Sequence, residues 1–194
     1  GTNVAYVRLG SFANEITDEQ LDYLFTRYQN TKGLIFDVRD NGGGNIFYVP
    51  EILERFASEK IQVGYFKTRN GRGRNDFTEP EKFYIGKHDG VTYLKPVVIL
   101  TDRGSYSATT LFALAAKAMP NITLIGDTTG GGGGLPNGGQ LPNGWTYRFS
   151  IGQVLDMEMK NYAENGVPPD IIARFDWTDL KRDKIIERAL SELK

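Results

Sequence analysis

Three nearly unbroken apolar stretches, Leu34-Ile-Phe36, Val97-Val-Ile-Leu100 and Ile122-Thr-Leu-Ile125, set the frame of the chain. Runs of this length without alternation predict strands buried on both faces. A fourth strand, Val4 to Leu9, alternates apolar and polar positions. Thr17 and Gln20 form an [ST]-x-x-Q capping box, and Leu21, Leu24, Phe25 and Tyr28 then fall on one helical face. Asn30-Thr-Lys-Gly33 ends that helix. A second helix is predicted from about Pro50 to Ser58. Strands are expected at Ile61 to Thr68, in pieces between Phe83 and Tyr93, at Trp145 to Ser150 and at Gln153 to Met159. Arg69 to Lys82 reads as a polar loop and Asp179 to Leu193 as a closing amphipathic helix.

The order strand, tight glycine turn, helix occurs twice. Gly33 to Arg39 runs into Asp40-Asn-Gly-Gly-Gly-Asn45, and Val97 to Leu100 runs through the turn Asp102-Arg-Gly104 into the dense apolar helix after Ser107. Three successive glycines imply positive φ or a close backbone approach. They do not form a nucleotide loop, because neither GxxxxGK[ST] nor GxGxxG is present. The third buried strand leads into five glycines, Gly130 to Gly134, and Leu135-Pro-Asn-Gly is echoed by Leu141-Pro-Asn-Gly144, as in a hairpin or paired turns. Turns that follow strands on one side define an α/β protein with three loops at one edge: Asn41 to Gly44, Gly104 to Ala108 and Gly126 to Gly134. Ser107 lies at a helix start there. Its hydroxyl suits an N-cap, and equally a nucleophile on a sharp turn with helix amides ready for an oxyanion.

Composition narrows the chemistry. The 194 residues suffice for one domain with a full core, and 23 Lys plus Arg against 24 Asp plus Glu give no field that would recruit nucleic acid or an anionic membrane. The basic stretch Lys67 to Arg74 reads as a solvated loop. Absence of cysteine removes disulfides, thiol catalysis and cysteinyl metal sites. The single His, His88, sits in a turn-rich connector and cannot build a clustered His metal site. No metal or organic cofactor is implied.

Five stretches resemble the C-terminal processing (tail-specific) serine peptidase family: Ala5 to Phe12, Gly33 to Gly44, Val97 to Ala108, Ile125 to Gly131 and Asn165 to Ile171. They come in that family's order and cover nearly the whole chain. The resemblance implies a ClpP/crotonase-like core of layered ββα units over residues 1–194. It implies a helical and PDZ region that lies outside this chain, and an extracytoplasmic location (periplasm or cell envelope). It carries Ser107 onto the nucleophile, and Ala108 and an amide of the pair Gly43 and Gly44 onto the oxyanion hole; Tyr106, Gly131 and Gly132 are the candidate substrate-binding residues beside them, although an aromatic such as Tyr106 also suits the core. The expected partner is a peptide or protein substrate, with peripheral membrane contact or none.

The family's lysine base falls on Gly132. Lys117, ten residues along the helix, points away, and Lys160 has no motif support. Tricorn-like relatives use a His and a Glu instead; Glu164 resembles that glutamate, whereas Arg8 occupies the matching His position. The expectation is a serine peptidase with its base missing from this chain or supplied from outside it. The alternative is a peptidase-fold protein that binds a peptide or apolar ligand, as retinoid-binding relatives do. Crotonase-type chemistry on a thioester would need a CoA signature, which is not seen.

Overall fold

The computed structural model describes residues 3–194. Its centre is a five-stranded, wholly parallel sheet in the order β1 (Val4–Arg8), β2 (Gly33–Asp37), β5 (Val97–Thr101), β6 (Ile122–Gly126) and β10 (Ile171–Ile172). Every residue of β2 and β5 is buried, as their unbroken apolar runs require. A second, antiparallel sheet joins β4 (Glu81–Ile85), β3 (Ile61–Thr68) and β9 (Gly152–Leu155). The expected α/β architecture is therefore present, as stacked layers.

Helices α1 (Asp18–Tyr28), α2 (Tyr48–Leu53) and α3 (Ala108–Lys117) pack on one face of the central sheet, and the main core runs from it through them to Val63, Ile85 and Val154 of the second sheet. A chain of rings threads this core: Phe25 meets Phe56, Phe56 meets Phe36, Phe36 meets Phe112 and Phe112 meets Phe12, with centroids 5.3 to 6.1 Å apart. The Thr17–Gln20 capping box closes as expected. Arg55 is fully buried, and its guanidinium pairs with Asp18 and Asp22 on α1.

Several boundaries differ from expectation. The second helix starts at Tyr48 and tightens into a 3-10 turn at Glu54–Phe56. The stretch after Phe83 contributes only β4, and the strand expected to reach Met159 ends at Leu155. Pro136–Gln140 forms a strand, β7, against β8 (Thr146–Ser150), although Pro-Asn-Gly-Gly reads as a turn. Ladder pairing with β8 supplies what its own β propensity lacks.

The last helix, α4, spans Lys184–Glu192 and covers the opposite face of the sheet, where Ile185, Ala189 and Leu193 pack on Ile35, Val98, Leu100 and Ile125. It begins five residues later than the periodicity suggests because Asp183 caps it, accepting from the Ile185 and Ile186 amides. Asp183 is also tied to the sheet. Arg39 places Nη1 2.8 Å from Asp183 and clamps the fully buried Asp37 through Nε and Nη2, while the Tyr6 hydroxyl donates to Asp37 at 2.8 Å.

Burial opposes ionisation of Asp37, but the Arg39 hydrogen bonds, the Tyr6 hydroxyl and the Arg39 charge outweigh it and hold the carboxyl below its usual range. A lowered carboxyl pKa contributes stability that is complete above about pH 4 and is lost as the pH falls through the lowered value. Arg39→Ala leaves Asp37 charged and unpaired, at an expected cost of about 3 to 5 kcal/mol near neutral pH. The deficit should shrink on acidification, since burial alone raises the Asp37 pKa and favours its protonated form. Urea unfolding of both proteins between pH 4 and 8 measures this.

Candidate active site

The three glycine turns meet at the carboxyl edge of the central sheet, and side chains tie them together. Asp102 Oδ1 accepts from the amides of Asp40, Gly104 and Ser105 at 2.9 to 3.0 Å, so one carboxylate holds two turns. The buried Ser105 hydroxyl donates to Val38 O at 2.8 Å, and the Tyr106 amide donates to Asn41 O at 2.9 Å. The third turn joins through Ser107 N to Gly131 O and Thr110 Oγ1 to Gly131 O, at 2.8 and 2.7 Å. Thr129, fully buried, accepts from the Val167 amide and so fixes the segment that carries Glu164.

Within this clasp Ser107 has φ 58 and ψ −119, and its side chain makes no capping hydrogen bond. The N-cap reading of Ser107 is thereby removed. A non-glycine residue in such a conformation costs on the order of 1–3 kcal/mol and persists only where its surroundings enforce it. The enforcing contacts are the Gly131 carbonyl on its own amide and the Leu111 amide on its carbonyl.

The structure distinguishes the two glycines of the expected pair. The Gly43 amide donates to Asn41 Oδ1 at 2.9 Å. The amides of Gly44 and Ala108 have no acceptor among the described residues. Gly43 acts through close approach: with φ +95, a Cβ there would lie 2.7 Å from Tyr106 O, 2.8 Å from Ser107 Cβ and 2.9 Å from Ala108 N.

Ser107 and Gly132 line two adjoining cavities. One, of about 510 Å³, is polar and includes Tyr106 and Glu164. The other, of about 240 Å³, is walled by Ile46, Leu111, Leu135 and Val154, with Gly44 and Ala108 beside the serine. Gly131 sits behind Ser107 as its hydrogen-bond partner. Tyr106 and Gly132 are complementary: at φ +82, a Cβ on Gly132 would lie 2.3 Å from Cζ of the tyrosine, so the ring fills the space a side chain at 132 would need.

Neither lysine nor histidine lines either cavity among the described residues. Lys117 bonds Pro168 O and pairs with Asp170, as its position on α3 suggests. Lys160 lies over the Tyr162 ring. His88 accepts from the Gly90 amide at Nδ1 and stands near Asp18 and Glu54, as a connector residue. Arg8 ends the edge strand β1, beside neither cavity. The residues missed from sequence are Asp102, Ser105, Asn41 and Thr129. Asp102-Arg-Gly-Ser105 did carry the signal of an Asx turn, but a second turn bonded to the same carboxylate leaves no local signature.

A strained serine at the carboxyl edge of a parallel sheet, beside open backbone amides, places the chain among α/β proteins built like serine hydrolases. The model of peptidase family S41 matches residues 3–173, and the chain belongs to that family. The carboxy-terminal processing protease CtpB of Bacillus subtilis is 26% identical over 174 residues, covering 88% of this chain and 34% of that protein. A crystal structure from Parabacteroides merdae, assigned as a peptidase, is 44% identical with a TM-score of 0.92, covering 98% of this chain and 61% of its own. Mature CPAF shares the fold at 16% identity and a TM-score of 0.82, over 98% of this chain and 50% of its own. The chain thus spans about a third of the length of the curated relatives it matches.

The packing at Gly43 predicts a steep contrast with its neighbour. Gly43→Ala must push apart two backbone turns, at a cost of about 2 to 5 kcal/mol. Gly42→Ala meets nothing within 4 Å and is expected to change stability by less than about 0.5 kcal/mol. Urea denaturation midpoints of the two variants measure the difference.

Proposed function

We propose that the chain is the catalytic core of a serine peptidase that cleaves peptide bonds through a Ser107 acyl-enzyme. The observation that carries this reading is Ser107 itself, held at positive φ with an uncapped hydroxyl that faces a cavity. The Ser107 oxygen attacks the scissile carbonyl, and the Ala108 and Gly44 amides receive the oxyanion. Donors already aimed at developing charge are worth about 100- to 1000-fold each in rate. The acyl group passes to Ser107 as the amine leaves, and water then releases the acid.

Serine needs a base to accept its proton. Position 132, where the family's lysine would fall, is a glycine at φ +82 with the Tyr106 ring filling the space beside it. On this reading the base is missing from residues 3–194 or supplied from outside them, and Glu164, which lines the polar cavity and has no ion pair among the described residues, is suited to orient a histidine base. A longer polypeptide is consistent with the fraction of the curated relatives that this chain spans. The same kinship supports protein substrates and an extracytoplasmic location. No helix among the described residues is long and apolar enough to cross a membrane. The second reading, a binding protein without turnover, is favoured by Gly132 alone.

Exposure of the full-length protein to a fluorophosphonate probe should give one adduct, on Ser107. Ser107→Ala should abolish it while changing stability by less than about 1 kcal/mol, since the hydroxyl makes no capping bond. A folded full-length protein that takes up no probe would overturn the nucleophile.

A further inference from the structure

The two cavities beside Ser107 share a wall residue whose charge the reaction above does not use. Arg148 lines both, and it is the sole basic residue to line either among the described residues. It lies on β8 of the exposed β7–β8 hairpin, directly opposite Gly138, with Ser150 and Pro136 forming the next opposed pair on the same face. Directly opposed residues of an antiparallel pair point to the same side. Pro136 lines both cavities and Ser150 the polar one, so this face of the hairpin looks onto the serine. Gly138 leaves the space across from Arg148 free of a side chain.

Arg148 makes no hydrogen bond or ion pair among the described residues, a state it shares with the surface residues Arg8, Arg72, Arg74 and Arg174, but of these it alone lines the cavities beside Ser107. Glu164 lies across the same polar cavity, but the two are not in contact as a salt bridge. A guanidinium offers a planar fork of donors matched to a carboxylate. Lining both cavities beside Ser107, it can meet an anion on a substrate bound there.

We propose that Arg148 is a specificity-determining residue that receives a substrate carboxylate next to the cleaved bond. The carboxylate is either the α-carboxylate of a chain terminus or an acidic side chain, since both present the same fork. This rests on the peptidase reading for its role in cleavage, but the recognition itself can be measured without turnover.

The test uses the full-length protein carrying Ser107→Ala, with and without Arg148→Gln, and three fluorescent peptides. One ends in a free carboxylate, one ends in an amide, and one ends in an amide but carries an Asp near the same position. Anisotropy should show a carboxylate peptide binding about 10- to 100-fold tighter than the plain amide, and Arg148→Gln should erase that preference. Arg148→Lys should retain part of it. Preference for the first peptide identifies a chain terminus, and preference for the third an acidic side chain. Equal binding of all three peptides, or a preference that survives Arg148→Gln in a protein with unchanged unfolding, overturns the proposal. Fluorophosphonate labelling of the wild type is read separately. Its failure removes the peptidase reading and leaves the binding result to decide Arg148.

Discussion

The Asp102 carboxylate is the constraint on which the site depends. Its one oxygen takes hydrogen bonds from the turn after β2 and from the turn after β5, and Ser105 extends the tie to Val38. A carboxylate with several backbone donors is held far more rigidly than a single hydrogen bond would hold it. That rigidity fixes the turn leading to Ser107, whose unfavourable backbone angles are held by its hydrogen bonds with Gly131 and Leu111. The strain at the serine and the satisfaction at the aspartate are two sides of one arrangement.

Gly43 and Gly132 show how the same region uses the absence of a side chain. At Gly43 the missing Cβ lets one turn press against Ser107 and Ala108. At Gly132 it makes room for the Tyr106 ring. The two look alike in sequence, each within a run of glycines, yet one brings backbone against Ser107 and the other makes room for an aromatic ring. The division of labour between Gly43 and Gly44 follows similarly from Asn41, which engages one amide and leaves its neighbour open.

Much of this was legible in the chain. The buried strands, the capping box and the convergence of three turns follow from apolar runs and glycine placement. Ser107, Ala108, Gly132 and Glu164 are brought around shared cavities, as motif order suggested. What was not legible depends on long-range contact. Asp102, Ser105 and Thr129 read as ordinary turn and core residues until the partner turn is beside them. Strand β7 has no strand-like composition and exists through pairing with β8. Asp183 sets the start of α4 from within a helical pattern that reaches further back. Arg148 lies in an alternating strand that predicts only exposure, and its relation to the serine arises from how the hairpin folds back.

The bond between Arg39 and Asp183 also has a temporal side. During synthesis β2 emerges early, carrying Asp37 and Arg39, while the cap and the helix that shield one face of the sheet are made well over a hundred residues later. Until then Ile35, Val98 and Leu100 have no cover on that face, and the nascent sheet displays an apolar surface of the kind that chaperones bind. The helices on the other face are complete sooner. The domain is therefore expected to form the side that carries Ser107 before its back is closed, with final locking left to α4.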